Sequence, residues 1–282
     1  MDYKVEHAKT IFETVTPYKV VSIKRFNAKN FKDNKFYIIN NLNERYILTK
    51  YSDKLNENLI NQDYLLTLEM QGLKYIPDCL YYDKKERVKI TERIYATSDL
   101  NFLTKTELKI LATSLKGFHK LKHKATLKPY NPFEVIDECR SYLSEHILPL
   151  NQEKYIINRA MFYYQKNEKF ICHNFLLKEN FIINKKNTYF FNYDYMGSND
   201  PLYDIAMMFV SLNITNNEDI AYFLNSYYGN QYNDEMIDAF NAYTKLVKLV
   251  LIYKLRRINK EYDSHEFNDI LTRLILELKN II

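Results

Sequence analysis

The stretch from Cys172 to Ala206, CHNFLLKENFIINKKNTYFFNYDYMGSNDPLYDIA, restricts the fold more than any other part of the chain. Its entry, Lys169–Cys172, reads as a short strand running into a loop, His173–Asn180. Phe181–Asn184 and Thr188–Tyr193 read as the arms of a hairpin turning on Lys185-Lys186-Asn187, because apolar runs bounded by polar turn residues favour pairing. Asp194–Pro201 follows and closes on Asp200-Pro201, a cap residue with proline at the first helical position, so a helix opens at Leu202-Tyr203-Asp204. Strand, loop, hairpin and capped helix at this spacing require a scaffold of mixed α and β structure.

The rest of the chain supplies such a scaffold. Val20–Arg25, Phe36–Ile39 and Arg45–Thr49 are β-rich runs between Asn- and Lys-rich turns. Leu59–Met70, with Leu59, Leu65, Leu66, Leu68 and Met70, is expected to be a helix packed on the sheet. Cys79–Tyr82 and Arg87–Thr91 read as two more strands turning on Asp83-Lys84-Lys85-Glu86. Beyond Tyr95 the pattern is mostly helical. A helix from Thr104 to near His123 opens on a capping box, Thr104-Lys105-Thr106-Glu107, with Leu108, Leu111, Leu115 and Phe118 at helical spacing. Asn131-Pro132 starts a second helix, and Asn151 to Gln165 makes a third. Four more are expected near Pro201–Asn213, Glu218–Tyr228, Asp234–Arg257 and Ser264–Ile281.

Composition excludes several classes. Hydrophobic content of 46%, with 15% aromatic residues, is ample for a core and leaves no low-complexity segment or internal repeat. The net charge of +5 comes from 40 basic and 35 acidic residues spread without a block, so no nucleic-acid partner is expected. The most apolar stretch, Leu246–Tyr253, is short and interrupted by Lys248, so no membrane span is expected. MDYKVEHAKT carries charge from its second residue and does not read as a secretory signal. Cys79, Cys139 and Cys172 lack metal-ligand spacing and are read as buried free thiols of a cytoplasmic protein.

On its loop and hairpin residues the chain resembles the choline/ethanolamine kinase family, within the aminoglycoside-phosphotransferase and protein-kinase-like group. Members of that family read C-H-N-D-L-L-x-x-N in the loop and then I-D-[FWY]-E-Y-x-G-x-N-D-P-x-[WFY]-D-[IL]-A. The resemblance implies an α+β, bilobal protein-kinase-like fold. A small β-rich N-lobe would span residues 1–94, and a larger, mostly helical C-lobe would span 95–282 and carry the motifs in 172–206. On the family pattern Phe175 stands at the catalytic base position, where an aspartate belongs, and Asn192 stands for the metal-binding aspartate. Asn180 and Asp194 match the other metal-site and catalytic positions, while His173, Asp200 and Asp204 match structural positions. A phenyl ring has no acceptor and cannot orient the proton of an attacking hydroxyl, a role worth about 10²–10⁴-fold. Asn192 offers a neutral carbonyl oxygen where Mg²⁺ usually takes a carboxylate.

The nucleotide side departs from the pattern as well. The first 71 residues contain no glycine, and the expected phosphate loop reads Phe26–Asn34, with Lys29 and Lys32 as its cations. In the third strand Thr49 takes the place of a basic residue, and Lys50, one residue later, should point to the other face. The partner carboxylate on the small-lobe helix falls near Asn61, with Asp63 the nearest acid. Thr91–Tyr95 would be the hinge that meets the adenine, which makes Glu92 and Ile94 candidate nucleotide-binding residues beside Lys29 and Lys50. The expected cofactors are therefore ATP and Mg²⁺, weakly bound. The expected function is a catalytically impaired pseudokinase with a ligand-binding or interaction role, its partners a nucleotide, an amino alcohol or a protein. The alternative is an active ATP-dependent phosphotransferase acting on the alcohol of choline or ethanolamine through displaced groups.

Overall fold

The computed structural model describes residues 3–26, 33–53, 55–121, 128–263, 265 and 267–280. The chain divides into two compact units. The first comprises residues 1–97, 123–125 and 189–194, and the second 98–122, 126–188 and 195–282.

The first unit is built on a five-stranded antiparallel sheet. Its strands are β1 (Val20–Phe26), β2 (Asp33–Asn40), β3 (Arg45–Tyr51), β4 (Cys79–Asp83) and β5 (Val88–Glu92), in the order β1-β2-β3-β5-β4. The strands form near where the sequence places them, but β2 begins at Asp33 and β3 runs on to Tyr51, so Phe26, Asp33 and Asn34 of the expected phosphate loop are strand residues. The β4–β5 turn differs by one residue, because Arg87 takes a left-handed φ of 54° and β5 begins at Val88. The elements expected from the sequence do not include α1 (Tyr3–Val15), which forms at the N-terminal end of this unit. Its Ala8 and Phe12 are buried against Phe36, Ile38, Leu48, Val88 and Ile90, which covers one face of the sheet.

The other helix of this unit, α2 (Glu57–Glu69), is capped by the Asn56 side chain on the Asn58 amide. Its inward residues are Ile60, Asp63, Leu66 and Thr67. Leu65 and Leu68, expected to pack on the sheet, are 55% and 47% exposed instead. They lie outside the stripe that 3.6-residue periodicity draws through Ile60, Asp63 and Thr67. The inward face of α2 thus carries a carboxylate and a hydroxyl.

The second unit is helical. It contains α3 (Lys105–His119), α4 (Pro132–Leu143), α5 (Leu150–Lys166), α6 (Pro201–Leu212), α7 (Asn217–Tyr228), α8 (Asp234–Tyr262) and α9 (Asn268–Asn280). The expected capping box of α3 forms, with Thr104 and Glu107 each bonding the other's backbone N–H. Asn131 and Asp200 cap α4 and α6, each followed by its proline. The long α8 packs against α4, α5, α6 and α9, and its Tyr243, Leu246, Val247, Leu249 and Val250 are fully buried. Short strands β6 (Phe170–Cys172), β7 (Phe181–Ile183), β8 (Thr188–Phe190) and β9 (Gly197–Asn199) carry the motif segment. The hairpin's second arm stops at Phe190 rather than Tyr193, since Asn192 adopts a left-handed φ of 64°. No helix among the described residues is long and apolar enough to cross a membrane.

Candidate functional site

In the helical unit the motif loop hangs on one buried carboxylate. Asp204, in the first turn of α6, accepts from the backbone N–H of His173 at 2.6 Å and of Asn174 at 2.7 Å. Its Oδ2 also lies 3.1 Å from His119 Nε2, and His119 Nδ1 lies 2.6 Å from the Tyr227 hydroxyl. A carboxylate only accepts, so Nε2 carries a proton, and in the neutral ring Nδ1 takes the tyrosine hydrogen. Asn174 sits at a left-handed φ of 63°, a region asparagine tolerates better than most residues. Its amide nitrogen donates to the carbonyls of Tyr195 (2.9 Å), Cys172 (3.2 Å) and Gly197 (3.3 Å), and its oxygen accepts from Asn199 at 2.8 Å. β6 and β9 pair antiparallel beneath this loop, with Cys172 opposite Gly197. A glycine is needed at 197 because a Cβ there would lie 2.5 Å from the Lys128 carbonyl oxygen.

Asp200 does separate work. It caps α6 through the Leu202 amide at 2.9 Å and accepts from Asn167 at 2.7 Å and the Tyr243 hydroxyl at 2.8 Å. Burial pushes its carboxyl above the usual value despite those bonds. His119, Cys172 and Asp204 bring ligand atoms within 4.8 Å of one another. However, Asp204 is committed to the loop amides and His119, and burial pushes the Cys172 thiol up, which opposes the thiolate a metal needs. The cluster reads as a structural brace for the loop.

Phe175, expected at the base position, is half-buried on this loop. Its ring lies 5.1 Å from that of Tyr195, and the Lys254 ammonium of α8 sits 4.5 Å from the Phe175 centroid and 3.5 Å from the Tyr195 centroid. Asn180 donates its amide nitrogen to the Phe175 carbonyl at 2.7 Å, which fixes its side chain against the loop. Lys254 was not singled out in the sequence. A lysine inside an otherwise apolar run of α8 was the available signal.

In the sheet unit, Asn192 Oδ1 accepts from Lys35 of β2 at 3.4 Å. An ammonium therefore rests on the oxygen expected from the sequence to face a metal. With a neutral amide in place of a carboxylate and a cation already on it, this donor fits Mg²⁺ poorly. Asp194 is half-buried two residues on. Tyr193 between them is fully buried, and burial raises its phenol.

Of the expected nucleotide-side residues, Lys29 lies outside the described residues. Lys50 donates to the Glu86 carbonyl and lies opposite Val88, whose side chain belongs to the α1-side core. Glu92 accepts from the Asp78 amide at 3.1 Å, and Ile94 is half-buried just beyond β5.

A further cluster went unread in the sequence. Lys89 of β5 lies 3.1 Å from both Asp63 oxygens and 2.8 Å from Thr67 Oγ1 of α2. The hydroxyls of Tyr51 and Tyr82 reach Asp63 Oδ2 at 2.5 and 3.0 Å. Burial first, and the Asp63 charge second, push both phenols up. A lysine flanked by Val88 and Ile90 in a core strand was the visible clue.

No protein-family model matches the chain. In sequence it is 26% identical to Protein LicA of Haemophilus influenzae over 268 residues, spanning 88% of this chain and 77% of that protein. In structure it matches the choline kinase LicA from Streptococcus pneumoniae at a TM-score of 0.74 and 20% identity, covering 98% of this chain and 99% of the other. The fold is that of the choline kinases. A LicA crystal structure in complex with AMP matches at a TM-score of 0.68 and 19% identity, covering 99% of both chains. The resemblance first visible in one loop and one hairpin thus extends over nearly the whole chain, and the small sheet unit and large helical unit are the expected ones.

Proposed function

We propose that this chain is a choline-kinase-like protein with impaired phosphotransfer chemistry, a pseudokinase that keeps a nucleotide- or amino-alcohol-binding role or holds a protein partner. The observation that carries the reading is Phe175 under the Lys254 ammonium. The base position holds a ring without an acceptor, and an ammonium lies 4.5 Å from that ring's centroid. A cationic amino alcohol approaching the Tyr195 and Phe175 rings would meet Lys254 already there. At the second altered position, Lys35 rests on Asn192. The buried, free state of Cys79, Cys139 and Cys172 is compatible with a cytoplasmic location.

The LicA relative solved with AMP supports testing nucleotides first. ATP binding should be weak and gain little from Mg²⁺, because the carboxylate at 192 is missing. Thermal shift with ATP, ADP, Mg²⁺, choline and ethanolamine reads binding through the stabilisation a native-state ligand confers. A phosphotransfer assay on choline and ethanolamine reads activity. The unmodified protein should stay far below an ordinary kinase rate of roughly 1–100 s⁻¹. Turnover of choline within that range would overturn the reading in favour of an active kinase using another base. That second reading has its own support, since Asn180, Asp194 and the Asp204 brace keep the family frame.

A further inference from the structure

The sequence lacks a cation at Thr49, yet the sheet unit contains a buried one a strand away. β3 and β5 run antiparallel with Thr49 directly opposite Lys89. Directly opposed residues project from the same face with Cβ atoms about 5 Å apart. Lys89 therefore emerges on the face where a third-strand cation would have emerged, and Lys50 on the opposite one. That shared face is the one α2 covers, and α2 turns Asp63 and Thr67 toward it. Both Asp63 oxygens stand at 3.1 Å from Lys89 Nζ, and the Tyr193 ring centroid at 5.5 Å. Tyr193 lies between Asn192 and Asp194, so the ammonium is held beside the segment where phosphate-bound metal is expected.

We infer that Lys89 is the phosphate-binding cation of this chain, moved from β3 to its cross-strand neighbour on β5 and held by Asp63. Its ligand class is a nucleoside di- or triphosphate. A purely structural pair is a poor account of the cluster. Burying two charges costs several kcal/mol each, and apolar side chains of equal volume usually serve a core as well or better. Here one carboxylate collects Lys89 and two tyrosine hydroxyls, while Lys89 also reaches Thr67. The arrangement fixes the ammonium from the α2 side and orients the lysine stem across the sheet face. Lys89 is thus a binding residue and Asp63 a positioning residue.

The inference rests on the proposal that the chain binds a nucleotide, and the test separates the two. Calorimetry on the full chain, without Mg²⁺, compares ATP with adenosine, which lacks phosphate. Lys89→Met should weaken ATP about 10- to 100-fold, the worth of one charge-assisted hydrogen bond, and leave adenosine unchanged. Because Lys89→Met strands the Asp63 charge, the paired variant Lys89→Met/Asp63→Leu, which removes both charges, keeps the test valid if the single variant unfolds. The swap Thr49→Lys/Lys89→Thr, which returns the cation to β3 on the same face, should restore the preference for ATP over adenosine. Equal loss of ATP and adenosine in both Met variants, or unchanged ATP affinity, overturns the assignment while leaving nucleotide binding standing. If the unmodified protein binds neither compound, the nucleotide reading falls and the assignment falls with it.

Discussion

Replacing Asp204 by asparagine removes one charge and converts one acceptor oxygen into a donor. The side chain is fully buried and makes three bonds, at 2.6, 2.7 and 3.1 Å. Asparagine can serve one loop N–H with its oxygen, but its NH₂ then faces a second N–H. A hydrogen bond to a charged group contributes about 1.5–3 kcal/mol, so losing one and weakening two costs roughly 3–5 kcal/mol. A domain holds only about 5–15 kcal/mol in all. At about 2 °C per kcal/mol for a chain of this size, the melting temperature of Asp204→Asn should fall by roughly 6–10 °C. Circular dichroism melts measure the shift. Hydrogen exchange of the His173 and Asn174 amides localises it, because those two N–H groups lose their acceptor. A shift under about 2 °C, or unchanged exchange at those amides, would refute the claim that Asp204 holds the loop.

Three further outcomes follow from the same geometry. Gly197→Ala puts a methyl 2.5 Å from the Lys128 carbonyl oxygen, so it should destabilise the helical unit by about 1–3 kcal/mol in urea titration, whereas Gly72→Ala meets no neighbour and is strained only through its left-handed φ of 78°. Glu153 is fully buried; burial raises its carboxyl, but bonds from His146, the Leu148 and Ile147 amides and Tyr253 outweigh that and hold it below its usual 4.5. Its stabilising contribution is therefore complete above pH 4.5 and lost as pH falls below that value, and Glu153→Gln should flatten the acid limb of stability against pH. Asn192→Asp should increase the Mg²⁺ dependence of ATP binding in calorimetry by supplying the missing carboxylate, and an unchanged Mg²⁺ response would argue that residue 192 does not face the metal.

Local signals in the chain give the reader nearly every strand and helix, because caps, turns and periodicity are local. Asn131-Pro132 and Asp200-Pro201 mark helix starts to the residue. α1 is legible too, with Val5, Ala8 and Phe12 at helical spacing, though its early charges draw the eye first. β9 is three residues long, and a strand that short exists only through its pairing with β6. At the site the boundary is the same. Phe175 and Asn192 stand out in the sequence because the family pattern has aspartate at the positions they are expected to match. Lys89, Lys254 and Lys35 do not, since each acquires meaning only from a neighbour distant in sequence. Lys89 needs the β3–β5 register, and Lys254 needs α8 folded back on the loop.

Lys254 and Lys35, beside Phe175 and Asn192, change what placing aspartates at those two positions would do. Phe175→Asp would set a carboxylate where the ring now lies 4.5 Å from the Lys254 ammonium. The counter-charge offsets much of the cost of burying an aspartate, so the variant should fold. The same cation would lower the new carboxyl by about 1–3 pKa units, which weakens it as a base. Asn192→Asp would likewise gain an ion pair with Lys35. The double variant should therefore raise choline phosphotransfer only modestly, and either single variant hardly at all, because groups that act as a unit are not additive. Adding Lys254→Met removes the cation above the base position and should raise the rate further, by up to the roughly 10²–10⁴-fold a positioned base supplies. Equal rates in the double and triple variants would show that Lys254 does not restrain this position. A folded triple variant with no gain over the unmodified protein would show that residues 175 and 192 do not limit phosphotransfer in this chain.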